Sequence, residues 1–281
     1  MPTTRLCLLL LCLLTLPVDL PVVLAAGPAD PVFLTFFDVG QGDALLIHQP
    51  DRCAVLVDSG PPGSGRDIGA SLAKKGISRL DRLIITHPHQ DHFGGVLSLP
   101  ANLQIGEVLD NGVDNHLERN YLSYQNWRAG HFARHLRQGE TWQCGSIRFT
   151  VLGPAPASLA AATINDSSLV MRVDIGPVSL LLPGDLEPRG WQSLDLDPAH
   201  LDVEIFKVPH HGAADRCLGE WLAGISPELA VISVGRDNLI GAPDRQSLEI
   251  IRQHSRQVWR TDLQGALEIR IDGQGWRHVG H

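Results

Sequence analysis

Thr86-His87-Pro88-His89-Gln90-Asp91-His92 brings four metal-competent side chains into six residues. The stretch before it, Leu80-Asp81-Arg82-Leu83-Ile84-Ile85, is short, largely apolar and β-branched at its end. It reads as a buried strand that stops at Thr86. The stretch after it, Phe93-Gly94-Gly95-Val96, reads as a tight exit into a helix. The ligand-type residues therefore sit on a loop at a strand's C-terminal end. A loop can turn nearly consecutive side chains to one point, which a regular strand or helix cannot. Neutral imidazoles and carboxylates suit zinc, manganese and iron. Four such groups are too many for one catalytic ion with open positions, so two divalent ions sharing the cluster is the better reading. A polar surface loop would account for His-x-His alone, but poorly for the whole pattern between an apolar strand and a glycine pair.

The pattern resembles the signature of the metallo-β-lactamase superfamily. That resemblance implies a mixed α/β fold, a four-layer αββα sandwich with a metal site at one edge of two facing sheets.

Residues 1–26 read as a secretory signal peptide outside the fold. Arg5 supplies a positive start, Leu6 to Leu16 is almost wholly apolar, and Val23-Leu24-Ala25-Ala26 offers small residues for cleavage. Pro17, Asp19 and Pro21 interrupt the run, so a membrane-spanning stretch of about 20 apolar residues is missing. The expectation is export to a bacterial periplasm or beyond, with no stable membrane span after cleavage. The net charge of −8 survives removal of the leader, because Arg5 and Asp19 cancel. This acidic balance argues against a protein that coats nucleic acid. It leaves room for an enzyme whose local metal centre meets phosphate. Residues 27–281 carry no linker, repeat or low-complexity tract and read as one domain. Cys53, Cys144 and Cys217 remain after the leader, an odd number that allows one bridge and one free thiol without choosing the pair.

Along the chain, Val32–Phe37, Ala44–Ile47 and Ala54–Val57 read as strands. Between the first two lies Asp38-Val39-Gly40-Gln41-Gly42-Asp43, an acid-flanked glycine turn. Asp58-Ser59-Gly60 ends the third, and a carboxylate there can orient a ligand imidazole from behind. Asp67 to Lys75 reads as a helix closed by Gly76. Tyr121 to Arg137 reads as one or two helices capping the site. There Arg128, Arg134 and Arg137, interleaved with aromatic residues, are candidates to hold a phosphate backbone. An ordinary solvated helix face is the plainer reading of the same residues. His131 and His135 lack the glutamate of a zinc-protease helix and are not read as ligands. Further strands are expected at Ser146–Leu152, Leu169–Val173, Val178–Leu182, Val203–Val208, Leu229–Gly235, Val258–Asp262 and Gly265–Ile271, with a helix at Ser247–Gln253. Two of these strands end in chemistry-bearing groups, Asp185 after Pro183-Gly184, and His210-His211-Gly212 after Pro209.

Phe37-Asp38-Val39-Gly40-Gln41-Gly42-Asp43-Ala44, Val57-Asp58-Ser59-Gly60 and the Thr86–Gly95 stretch together resemble the C-terminal metallo-hydrolase domain of ComEC-type DNA-uptake proteins. The likeness covers nearly all of the chain after the leader, so the chain is expected to be a free-standing, exported version of that domain. It implies that His87 and His89 hold one ion, that Asp91, His92 and His211 hold the other, and that Asp185 bridges them. Asp43 and Asp58 would support the loop. Just ahead of Leu169–Val173 most of the superfamily has a third histidine; here there is none, and Asn165 stands nearby. Harder ions such as Mn²⁺ then come into consideration beside Zn²⁺. A metal-activated hydroxide is the expected nucleophile, with Asp91 in the catalytic set and His210 facing the substrate to bond a phosphate oxygen or protonate the leaving oxygen. The implied substrate is a phosphodiester, DNA foremost, with Asn238 on the substrate side. The chain departs from the family where Ile240 replaces a tyrosine and Ala242 a histidine. The alternatives are hydrolysis of another ester, such as a phosphorylcholine ester or a lactone, or a metal-containing binding protein without turnover.

Overall fold

The computed structural model describes residues 30–156, 159, 162–194, 196 and 201–279. The leader expected at residues 1–26 lies outside them. The elements in order are β1 (Val32–Phe36), β2 (Leu45–Gln49), β3 (Cys53–Val57), α1 (Gly65–Lys74), β4 (Arg79–Ile84), α2 (Gln90–Phe93), β5 (Gln104–Asp110), α3 (Tyr121–Ala129) and β6 (Ala133–His135). There follow β7 (Thr141–Cys144), β8 (Ile147–Gly153), β9 (Val170–Ile175), β10 (Val178–Leu182), α4 (Pro188–Ser193), β11 (Ile205–Lys207), α5 (Leu218–Ile225) and β12 (Leu229–Ile232). The chain closes with α6 (Arg245–His254), β13 (Gln257–Arg260), α7 (Thr261–Gln264), β14 (Leu267–Asp272) and β15 (Gly275–His278).

One sheet runs β15-β14-β1-β2-β3-β4-β5-β6 and the other β13-β12-β11-β10-β9-β8-β7. Period-two alternation sorts their side chains into layers. Leu45 and Ile47 point between the sheets while Leu46 points outward, and Leu180 and Leu182 flank an outward Leu181. The space between the sheets is filled by Leu34, Phe36, Val55, Ile84, Phe149, Met171, Val173 and Val231. The outer face of the first sheet packs Leu56 and Leu83 against Ile68 and Leu72 of α1, Phe93 of α2, and Tyr121 and Tyr124 of α3. The outer face of the second packs Phe206 and Ile232 against Trp191 of α4, Leu222 of α5 and Ile251 of α6. Helix, sheet, sheet, helix is the expected four-layer sandwich.

Strand direction makes one edge special. The pairs β3–β4, β4–β5 and β5–β6 are parallel in the first sheet, and β10–β11, β11–β12 and β12–β13 in the second. Parallel strands send their C-terminal loops to the same edge, where ligands of open α/β sheets gather. Asp58 follows β3, the Thr86–His92 loop follows β4, Asp185 follows β10, and His210-His211 follows β11.

The segment expected to be helical through Arg137 is helical only to Ala129. Gly130 and His131 turn the chain, and β6 then joins the sheet edge beside β5. β5 itself escapes the sequence pattern, because Gln104, Gly106 and Glu107 interrupt its apolar run and only its C-terminal half is buried. β7, β15 and α5 were likewise not foreseen. The strand expected at Val258–Asp262 ends at Arg260, where Thr261 turns into α7 and bonds Val234. Cys53 and Cys144 form a disulfide with their Cα atoms 5.4 Å apart, tying β3 of one sheet to β7 of the other, and Cys217 is a free thiol.

Candidate metal centre

The histidine loop is held by the acid that ends β3. Asp58 accepts from the backbone N–H and the hydroxyl of Thr86, both at 2.8 Å, and lies 2.9 Å from Nδ1 of His92. Two further loops press on it. Asp43 N–H donates to the carbonyl of Asp91 at 3.2 Å, and Gly42 beside it (φ +135°) passes so close that a Cβ there would lie 2.3 Å from the Asp91 oxygen. Gly95 meets Ser59 in the same way, with a Cβ 1.9 Å from that carbonyl oxygen. The glycines of both motifs thus let three loops stack at one edge.

The side chains of the cluster converge on one atom. Oδ2 of Asp185 lies 3.2 Å from Nε2 of His92, 3.4 Å from Nε2 of His211 and 3.9 Å from Nε2 of His87. Asp91 reaches the same place, with Oδ2 3.3 Å from His211 Nε2 and Oδ1 3.8 Å from His92 Nε2. His87 Nε2 and His89 Nδ1 stand 3.0 Å apart. One donor atom from each of Asp91, His92, Asp185 and His211 falls within 4.8 Å of every other. Four of the expected ligands thus form one group, with His87 3.9 Å from Asp185 at its side and His89 reaching it through His87. Asp43, Asp58 and His92 form a second such group behind the first.

His211 reaches the cluster through backbone strain. His210 (φ 47°, ψ 42°) and His211 (φ 56°, ψ 18°) are both left-handed, which costs of the order of 1–3 kcal/mol per residue. The turn buries His211 and leaves the His210 side chain 30% exposed. Ser233 at the end of β12 accepts from Nδ1 of His211 at 2.8 Å, so Nε2 is the nitrogen turned to the cluster. On the exposed side, His210 Nδ1 is 3.5 Å from Glu187, and its Nε2 is 3.4 Å from the amide nitrogen of Asn165. Asn165 also donates to Glu187 at 3.0 Å.

The donors fit divalent ions. His211 Nε2, Asp185 Oδ1 and Asp43 Oδ1 are buried polar atoms without a hydrogen-bond partner, and four imidazoles with two carboxylates make a hard-to-borderline ligand set. Without ions, burial works against a charge on His92, yet Asp185, Asp58 and Asp91 hold its imidazolium well above the ordinary range. His211 behaves alike: burial opposes the charge and Asp185 and Asp43 overcome it. His87 falls well below the ordinary range, through burial and then through His92, and His89 is lowered for the same reasons. Asp185 resists the upward push of burial because His92 and His211 flank it, and it stays well below the usual carboxylate range. The carboxylates around His92 and His211 thus favour positive charge at this point, as they would favour a bound cation.

Other candidates lie elsewhere. Asn238 spends its amide on its own loop, donating to the carbonyls of Gly235 and Ala242 and accepting from Ala242 N–H. Arg128 pairs with Asp110, Arg134 with Glu107 and Glu140 at 2.8 and 2.6 Å, and Arg137 donates to the carbonyls of Asn111 and Leu136. Arg134 lies on β6 rather than on the expected helix. Sequence reasoning overlooked Glu187, Ser233 and Lys207. Only Lys207 left a signal, as a lysine inside an otherwise apolar run.

A histidine–aspartate cluster at the strand ends of two stacked sheets defines a metal-dependent hydrolase. The chain belongs to the metallo-β-lactamase superfamily, whose family model matches residues 37–236. It is similar to ComE operon protein 3 of Bacillus subtilis, at 29% identity over 89% of this chain and 34% of that protein. It is also similar to Competence protein ComA of Neisseria gonorrhoeae, at 31% identity over 89% of this chain and 34% of that protein. The chain spans about a third of the length of these relatives. Among solved structures, the metallo-β-lactamase fold protein YhfI from Bacillus subtilis superposes with a TM-score of 0.57 at 12% identity, over 84% of this chain and 99% of that one. No helix among the described residues is long and apolar enough to cross a membrane.

Proposed function

We propose that the chain is an exported, dinuclear metal-dependent phosphodiesterase that acts on DNA. The observation that carries this reading is the convergence of His87, His92 and His211 on the single oxygen Oδ2 of Asp185, with Asp91 beside it. His87 and His89 would hold one ion, Asp91, His92 and His211 the other, and Asp185 would lie between them. Bound divalent ions, Zn²⁺ or Mn²⁺, supply Lewis-acid activation of water and offset charge on a phosphoryl group. Asp58 and Ser233 fix the ring orientation of His92 and His211. His210, 30% exposed and 3.5 Å from Glu187, would move a proton to a leaving oxygen.

Similarity to proteins named for competence supports DNA as the substrate. The apolar run near residue 10 and the Cys53–Cys144 bridge support export to an oxidising compartment. A second reading, hydrolysis of another ester, draws on the sequence: half-exposed Ile240 and buried Ala242 stand where the family pattern has a tyrosine and a histidine.

The experiment is hydrolysis of bis-p-nitrophenyl phosphate and of labelled single- and double-stranded DNA, with Mn²⁺ or Zn²⁺ and with a His87→Ala control. Metal-dependent cleavage of DNA that the control loses is the expected result. Cleavage of the small diester alone moves the substrate away from DNA. No cleavage by protein carrying two ions rejects the phosphodiesterase.

A further inference from the structure

Lys207 is a charged residue in the core that the metal ligands do not account for. It ends β11, where Ile205 points between the sheets and Phe206 outward, so the alternation returns Lys207 to the inter-sheet space at its metal end. It is 4% exposed. A lysine this deep is kept only where its ammonium is paired. Its Nζ forms an ion pair with Oδ2 of Asp43, lies 3.4 Å from the carbonyl of Gly184, and stands 3.7 Å from Oδ1 of Asp185.

The two acids it joins have different places. Asp43 lies behind the ligand rings, with Oδ1 3.5 Å from Nδ1 of His211 and Oδ2 3.9 Å from Nδ1 of His92. Asp185 lies in front, on the Nε2 side of both. Its Oδ1 has no hydrogen-bond partner, and Lys207 is the cation facing it. Its Oδ2 is the oxygen that the three imidazoles share.

We propose that Lys207 is a positioning residue of the metal centre: its ammonium holds Asp43 behind the histidines and faces Oδ1 of Asp185, leaving Oδ2 as the one oxygen offered to both ions. This role rests on the two-ion reading of the site. Without the ammonium, Oδ1 of Asp185 loses the cation that faces it while the imidazoles still crowd Oδ2, and Asp43 loses its ion-pair partner behind the histidines.

The test compares the full chain with Lys207→Met and with Lys207→Met/Asp43→Asn, all titrated with Mn²⁺. Ion stoichiometry, affinity and the paramagnetic resonance signature of a coupled ion pair are read, with circular dichroism as the control for folding. The expected result is two coupled ions in the unmodified chain. Both variants should bind the second ion ~10–100-fold more weakly and lose the coupled signal. If Lys207→Met does not fold, the double variant, which also removes the carboxylate left unpaired, carries the test. A coupled pair at unchanged affinity in either variant overturns the proposal. So does loss in the single variant that the double variant restores, since Lys207 would then serve only to neutralise Asp43. Fewer than two ions in the unmodified chain overturns the two-ion reading and this role with it, an outcome separate from a failure at Lys207 alone.

Discussion

Asp58 sits 2.9 Å from Nδ1 of His92, and the opposite nitrogen of that ring is 3.2 Å from Asp185. One imidazole thus links the first sheet to the second, and the acid at the end of β3 sets its direction. Asp58→Asn keeps the shape but removes the charge that directs the ring. Divalent-ion affinity should fall ~10–100-fold, as is usual when the partner behind a metal-binding histidine is lost. Competition with a coloured chelator measures it, and unchanged affinity would reject the role.

The protonation of these histidines makes the stability of the metal-free protein depend on pH in two directions. His92 and His211 hold protons in the fold that the unfolded chain releases above its ordinary value of 6.5, so stability falls as pH rises from 6.5 through their raised values. His87 and His89 are lowered, so the unfolded chain binds protons that the fold refuses, and stability falls as pH drops below 6.5. Thermal melts in chelator across roughly pH 5 to 8 should peak near the middle. Saturating Mn²⁺ or Zn²⁺ should remove the decline on the alkaline side, because ions displace the protons of His92 and His211.

His210 is separable from ion binding, since its part-exposed ring sits against Glu187 and Asn165. His210→Gln should lower kcat on a phosphodiester by about 10²–10⁴-fold while the protein still takes up its full complement of ions. Loss of an ion in this variant, seen by elemental analysis, would instead make His210 a ligand.

The Cys53–Cys144 bridge closes 91 residues of chain. On the chain-entropy argument, such a loop contributes about 4–5 kcal/mol. Urea unfolding with and without reductant should show a lower midpoint on reduction, with an unfolding free energy smaller by that order. An unchanged midpoint would show that the reduced, unfolded chain is already compact.

The sequence by itself determined the class of fold and the strand-end loops that carry the candidate ligands. His87, His89, Asp91 and His92 are neighbours in the chain, and a strand before them and glycines after them leave few ways to arrange a loop. Asp185 and His211 each follow a buried apolar strand, and the family resemblance is what singled them out as candidates. What the tertiary structure alone decided comes from contacts distant in sequence. Lys207 looks like a flaw in an apolar run until β11 lies between Asp43 and Asp185. Ser233 acts only through its carbonyl, which no side-chain pattern reveals. Asn238 and the arginines read as free polar groups because their partners, among them Glu107, Asp110 and the loop's own carbonyls, are assigned only once the chain is folded. Local hydrophobic pattern fixes which strands form and where they end. Which charges then neutralise one another depends on which loops meet at the edge of the two sheets.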